Sequence, residues 1–110
     1  MEFERLKKMA AESRNIVFFG GAGTSTESGI PDFRSADGLY QAGGGRIAPE
    51  EILSHDFFLA RTAEFYAFYR SKMLYPDALP NAAHYALAEM ERQGRLAAVI
   101  TQNIDGLHQK

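Results

Sequence analysis

The run Ile16-Val17-Phe18-Phe19 passes directly into Gly20-Gly21-Ala22-Gly23. Four apolar residues rich in β-branched and aromatic types are too few for a helix. They read as a strand buried on both faces, as in a parallel sheet. The glycines make a sharp turn, and Thr24-Ser25-Thr26 offers hydroxyl caps for a short helix. A second run, Leu96-Ala97-Ala98-Val99-Ile100, has the same character. It ends in the polar stretch Thr101-Gln102-Asn103-Ile104-Asp105-Gly106. Two such strands with helices between them point to an α/β fold with a parallel sheet. In open sheets of this kind, ligands bind beyond the carboxyl ends of the strands. Segments 20–34 and 101–105 both follow those ends, and if the strands are parallel neighbours the two segments converge on one crevice.

The chain around these strands is ordinary globular material. Residues 2–13 predict an amphipathic helix, with Phe3, Leu6, Met9 and Ala10 at three- and four-residue steps. Residues 31–49, interrupted by Pro31, Gly38, Gly43-Gly44-Gly45 and Pro49, predict an irregular loop. Short helical turns follow over 49–60, then a helix over 61–74. Pro80 suits the first turn of a helix running to Gln93, and Gly94 sits where a C-terminal cap belongs. With 110 residues the chain is one domain at most. Its net charge of −2 implies no broad basic face for nucleic acid. It has no cysteine, which excludes disulfides and thiolate metal sites within it. The apolar runs are too short to span a membrane. The N-terminus is charged and mixed rather than a signal peptide, so the expected location is cytoplasmic.

Three segments carry groups suited to chemistry, and each has a plain structural reading beside it. Gly21-Ala22-Gly23 lets the backbone approach a pyrophosphate, with free N–H groups at a helix start. It lacks the third glycine of a full dinucleotide fingerprint, and a simple strand-to-helix turn explains it equally well. Asp32-Phe33-Arg34 sets an acid, a ring and a guanidinium side by side after Pro31. Arg suits phosphate or carboxylate recognition, while a capped turn with a surface ion pair is the alternative. Gln102-Asn103-Ile104-Asp105 can present donors and acceptors to a carboxamide or to ribose hydroxyls, or can simply build an Asx turn. The histidines are scattered. His84 is expected to be packed and hydrogen-bonded on a helix, His55 to act as a local cap, and His108 to be structural. The aromatics Phe57, Phe58, Phe65, Tyr66, Phe68 and Tyr69 read as core, with an apolar channel wall as the alternative.

Taken together, the stretch Gly21–Ser35, containing Gly-Ala-Gly-Thr-Ser-Thr-Glu-Ser-Gly-Ile-Pro-Asp-Phe-Arg-Ser, and the stretch Thr101–Gln109 resemble the sirtuins, the NAD-dependent protein-lysine deacylases. Phe57-Phe58, Glu64-Phe65-Tyr66 and Pro80-Asn81-Ala82-Ala83-His84 follow the family's order between them. The resemblance implies a partial Rossmann-type parallel sheet with an inserted helical module. It divides the chain into a first Rossmann part over 1–47, the helical module over 48–75, and a return to the Rossmann part over 76–110. It implies that Gly21, Ala22 and Gly23 cradle the phosphates of NAD, with Thr26 close by. Asp32, Phe33 and Arg34 would lie over the nicotinamide ribose, on a cofactor loop continuing through Tyr40. Gln102 would bond the ribose, and Asn103, Ile104 and Asp105 would line the nicotinamide pocket. Asn103 and Asp105 are the supporting catalytic candidates.

The implied reaction cleaves the nicotinamide–ribose bond and moves an acetyl group from a protein lysine to ADP-ribose. The implied partners are NAD and an acetylated-lysine protein. The chain departs from the family in several ways. The general-base histidine belongs to a His-Gly motif that is absent here, and His108 is not its equivalent. The zinc cysteines of the family are absent too. Position 20 is Gly where many members carry a small hydroxyl residue. Acidic-acyl removers carry Tyr-x-x-Arg, but Tyr66 is followed at that spacing by Tyr69, which favours acetyl. The expectation is the N-terminal part of a sirtuin, inactive alone, that self-associates or pairs with the missing C-terminal half. A non-catalytic NAD- or ADP-ribose-binding module and an inert interaction fragment are the competing readings.

Overall fold

The structure, a computed structural model, describes residues 2–34, 38–39 and 47–110. Helix α1 (Glu2–Glu12) leads into strand β1 (Ile16–Gly20) and a 3-10 helix (Ala22–Ser28). Short helices α2 (Pro49–Ile52), α3 (His55–Ala60) and α4 (Thr62–Phe68) follow, then α5 (Ala82–Arg92) and strand β2 (Leu96–Thr101). The strands pair in parallel, as the sequence predicts, with Val17 opposite Ala98, Phe18 opposite Val99 and Phe19 opposite Ile100. Much of the irregular stretch expected over 31–49 falls outside the described residues. Among the described residues, no helix is long and apolar enough to cross a membrane.

The two strands are not buried on both faces. Val17, Phe19 and Ile100 share one face and are 56%, 65% and 51% exposed. The side chains alternate between half-buried and exposed along β1. The reason is coverage: α5 packs against β2 with the buried His84 and Leu87, and no described element shields the opposite face. Helix α1 likewise leaves Phe3, Leu6 and Met9 exposed. Among the described residues, the buried large apolar side chains are Leu39, Phe57, Leu87 and Leu107. Each contributes about 1.5–3 kcal/mol on burial, which makes a small core. The Cα radius of gyration is 17.1 Å, well above the roughly 13 Å of a compact chain this long.

Local chemistry explains the element ends. Asn81 caps α5 by accepting the Ala83 N–H, so the helix starts at Ala82 and Pro80 stands just outside it. At the far end Gly94 takes φ +74°, and Arg95 N–H reaches back to the Met90 carbonyl. This closure needs a left-handed residue, which favours glycine. Ser54, not His55, caps α3: its hydroxyl accepts from Phe57 N–H at 3.2 Å. His55 is the first helical residue, and its side chain is exposed. The predicted helix over 61–74 is α4 followed by a π-helical turn, Tyr69–Met73. Side-chain periodicity does not register that widening, because a single wide turn shifts the apolar face without breaking it.

Candidate active site

The two polar segments do meet. Asn103 Nδ2 donates to the Gly21 carbonyl at 2.9 Å and lies 3.3 Å from Ser25 Oγ. Ser25, only 1% exposed, donates its hydroxyl to Asp105 Oδ2 at 2.5 Å. A Cβ built on Gly21 would lie 3.4 Å from Gln102 Oε1, so the turn passes close beside that amide. The strand register causes this convergence: Gly20 pairs with Thr101, and the polar segments leave the same end of adjacent strands.

Between them opens a crevice with a cavity volume of about 100 Å³. Ala22, Phe33, Gln102, Asn103, Ile104 and Asp105 contribute to its walls. Gly21 and Gly23 bracket Ala22, while Thr26 is exposed and donates to the Gly23 carbonyl at 3.1 Å. Asp32 is half-buried, and its carbonyl accepts the Leu39 N–H. Arg34 is exposed. Tyr40 lies outside the described residues.

The loop after β2 is braced by two local side-chain hydrogen bonds. Thr101 Oγ1 accepts Asn103 N–H at 3.0 Å, and Asp105 Oδ1 accepts Leu107 N–H at 3.0 Å. The second contact is an Asx turn, the plain structural reading of this tetrapeptide. Carboxylate oxygens have two acceptor sites each, so both Asp105 oxygens keep capacity for a further donor.

His84 is buried, as expected, and its Nδ1 accepts Asn81 N–H at 3.1 Å. Its ring meets His108 edge-on, with centroids 4.8 Å apart. Burial pushes the His84 pKa down from 6.5, and the neighbouring His108 lowers it further, against an opposing pull from Asp105. His108 sits against His84 and Phe18, a packing role rather than a position in the crevice.

The aromatic residues of α3, α4 and the following turn pack mainly on one another. Phe58 and Phe65 are T-shaped at 4.8 Å, and Tyr69 stacks on Phe65 at 5.8 Å. Only Phe57 of the cluster is buried. The crevice wall on that side comes instead from Lys72, Met73 and Tyr75. Sequence reasoning missed those three, and also Ser25 and Asn81. Ser25 had a signal, a hydroxyl two positions after the last glycine of the turn. Lys72 and Met73 had none, because the π turn re-aims them.

No three His, Cys, Asp or Glu side chains among the described residues gather to hold a metal ion. With no cysteine in the chain, the residues present do not fit the zinc site expected of whole sirtuins.

The Sir2 family pattern matches residues 21–110. An NAD-dependent protein deacetylase of Clostridium acetobutylicum is 60% identical over 109 residues, covering 98% of this chain and 44% of the relative. One of Cutibacterium acnes is 54% identical over 111 residues, covering 100% of this chain and 46% of the relative. A solved Sir2 enzyme superposes with a TM-score of 0.83 at 46% identity, over 99% of this chain and 42% of that one. A Sir2 variant solved with a deacetylated p53 peptide and an acetyl ADP-ribose gives 0.82 at 42% identity, over 99% of this chain and 43% of that one. The chain thus spans less than half the length of these relatives. Motif order, strand pairing and superposition agree, and the chain belongs to the Sir2 family.

Proposed function

We propose that this chain is the NAD- and nicotinamide-binding part of an NAD-dependent protein-lysine deacetylase. The observation that carries the reading is the Asn103–Gly21 hydrogen bond, which closes a glycine turn and a polar loop around one crevice. The residues fit a dinucleotide. Gly21 to Gly23 leave the backbone open to phosphates, and no side chain intrudes within 4 Å of a Cβ at Gly23. When bound, NAD supplies a glycosidic bond whose cleavage frees nicotinamide and leaves ADP-ribose to accept the acetyl group.

The chain's own residues bind and orient. Asp105, held by Ser25 and by its own turn, accepts from the nicotinamide carboxamide. Gln102 bonds the ribose, and Asn103 fixes the turn at Gly21. Phe33 lies on the crevice wall and excludes water. Asp32 and Arg34 approach the ribose from the same segment. Preorganised groups of this kind stabilise developing charge without reorganising. The assignment of 1–47 and 76–110 to the nucleotide domain and 48–75 to a helical module belongs to the same proposal.

An acetylated-lysine protein is the proposed second substrate. No residue of this chain takes the general-base role, and the chain alone is expected to turn over no substrate. Self-association, or pairing with a polypeptide supplying the other Sir2 elements, would cover the open sheet face. Titration calorimetry with NAD tests the reading. Binding, with a raised melting midpoint, is expected, because a ligand of the folded state must stabilise it. No heat and no shift would refute it.

A further inference from the structure

Asn81 joins helix α5 to the glycine turn, and every polar group of its side chain is engaged. Its Oδ1 accepts Ala83 N–H at 2.9 Å, capping the helix. Its Nδ2 donates to the Thr24 carbonyl at 2.8 Å and to Ser28 Oγ at 2.9 Å, more than fifty residues back in sequence. Its backbone N–H donates to the buried His84 Nδ1. Thr24 and Ser28 belong to the 3-10 helix that also carries Ala22 and Ser25 into the crevice.

That helix needs outside support. Helices of this type have poorer hydrogen-bond geometry than α-helices. Its N-cap, Gly21, supplies no side-chain bond. It is pinned from one side by Asn103 and Asp105 and from the other by Asn81. Asn81 is not among the residues that line the crevice.

We propose that Asn81 is a positioning residue for nucleotide binding, holding the 3-10 helix, and through it Gly21–Gly23 and Ser25, in the orientation that accepts the dinucleotide. The role rests on the nucleotide reading above. It differs from simple helix capping, which any good cap residue would perform. Aspartate caps as well as asparagine, but its carboxylate cannot donate to the Thr24 carbonyl.

The Asn81→Asp substitution separates the two jobs. ADP-ribose titrations of the 110-residue chain are run well below its melting midpoint, with helix content followed by circular dichroism. The wild-type chain should bind. N81D should keep its helix content and bind about tenfold more weakly, the order expected for one or two lost hydrogen bonds. Ser28→Ala, which leaves the cap untouched, should weaken binding about two- to threefold, and should add little on top of N81D. Unchanged affinity in N81D, or a loss fully explained by its unfolded fraction, overturns the role. If N81D does not fold, S28A decides alone, and wild-type affinity in it overturns the role. A wild-type chain that binds no ADP-ribose overturns the nucleotide reading itself, and this role with it.

Discussion

The Ser25 hydroxyl, itself buried, donates to the half-buried Asp105 Oδ2 at 2.5 Å across 80 positions of sequence. Replacing Ser25 with Ala removes that donor and leaves the carboxylate facing an apolar methyl. The expected cost is about 1–2 kcal/mol of folding stability, the order of a lost hydrogen bond to a charged group. Urea denaturation of S25A against the wild type measures it. Nicotinamide affinity should fall in parallel, since Asp105 would lose its fixed orientation.

The lowered His84 pKa makes stability depend on pH with a defined sign. Burial and His108 favour the neutral ring in the folded state, against Asp105. The Asn81 N–H also requires an unprotonated Nδ1. The unfolded chain therefore takes up a proton near 6.5 while the folded chain does not. This contribution is complete above 6.5 and is lost as pH falls from there through the folded value, at up to about 1.4 kcal/mol per pH unit. Denaturation midpoints across that window should fall with acidity, and less steeply in His84→Gln.

Gly38 lies against the Asp32–Phe33 segment. A Cβ there would sit 2.6 Å from Asp32 Oδ1, 2.8 Å from the Phe33 carbonyl carbon and 2.9 Å from its oxygen. Two of those atoms are backbone and cannot swing aside. Gly38→Ala should cost about 1–3 kcal/mol by overpacking. It should also displace Phe33 from the crevice wall, which calorimetry would read as weaker NAD binding.

The open sheet face predicts association. Phe19→Thr puts a β-branched residue, which suits a strand, on β1 while removing an exposed ring. Stability should change by no more than about 0.5 kcal/mol, as at other solvent-facing positions. Sedimentation velocity should show less self-association than in the wild type. Equal association would count against the face as the contact surface.

The strands were legible because Ile16–Phe19 and Leu96–Ile100 are short apolar runs with sharp polar ends. Their parallel pairing followed from the helices between them, and the meeting of Gly21 with Asn103 followed from that pairing. Their exposure was not legible, because a run of apolar residues records a strand suited to burial and not whether a neighbour covers it. The cap at Ser54 was open to view, since a hydroxyl before a helix outcompetes the histidine after it. The Ser25 hydroxyl beside the glycine turn marked the residue but not its partner, and the same holds for the link made by Asn81. Each depends on a partner more than fifty positions away, which no local pattern encodes.

Parallel strands cannot be joined by a hairpin, and here the intervening chain runs from Gly20 to Leu96. During synthesis the glycine turn emerges early, yet its counterpart at Asn103 arrives about eighty residues later. Closing so long a span is entropically slow, so the pocket is a late product of folding. A ligand added to nascent chains should find no half-site to occupy, and its capture would report arrival of the second strand.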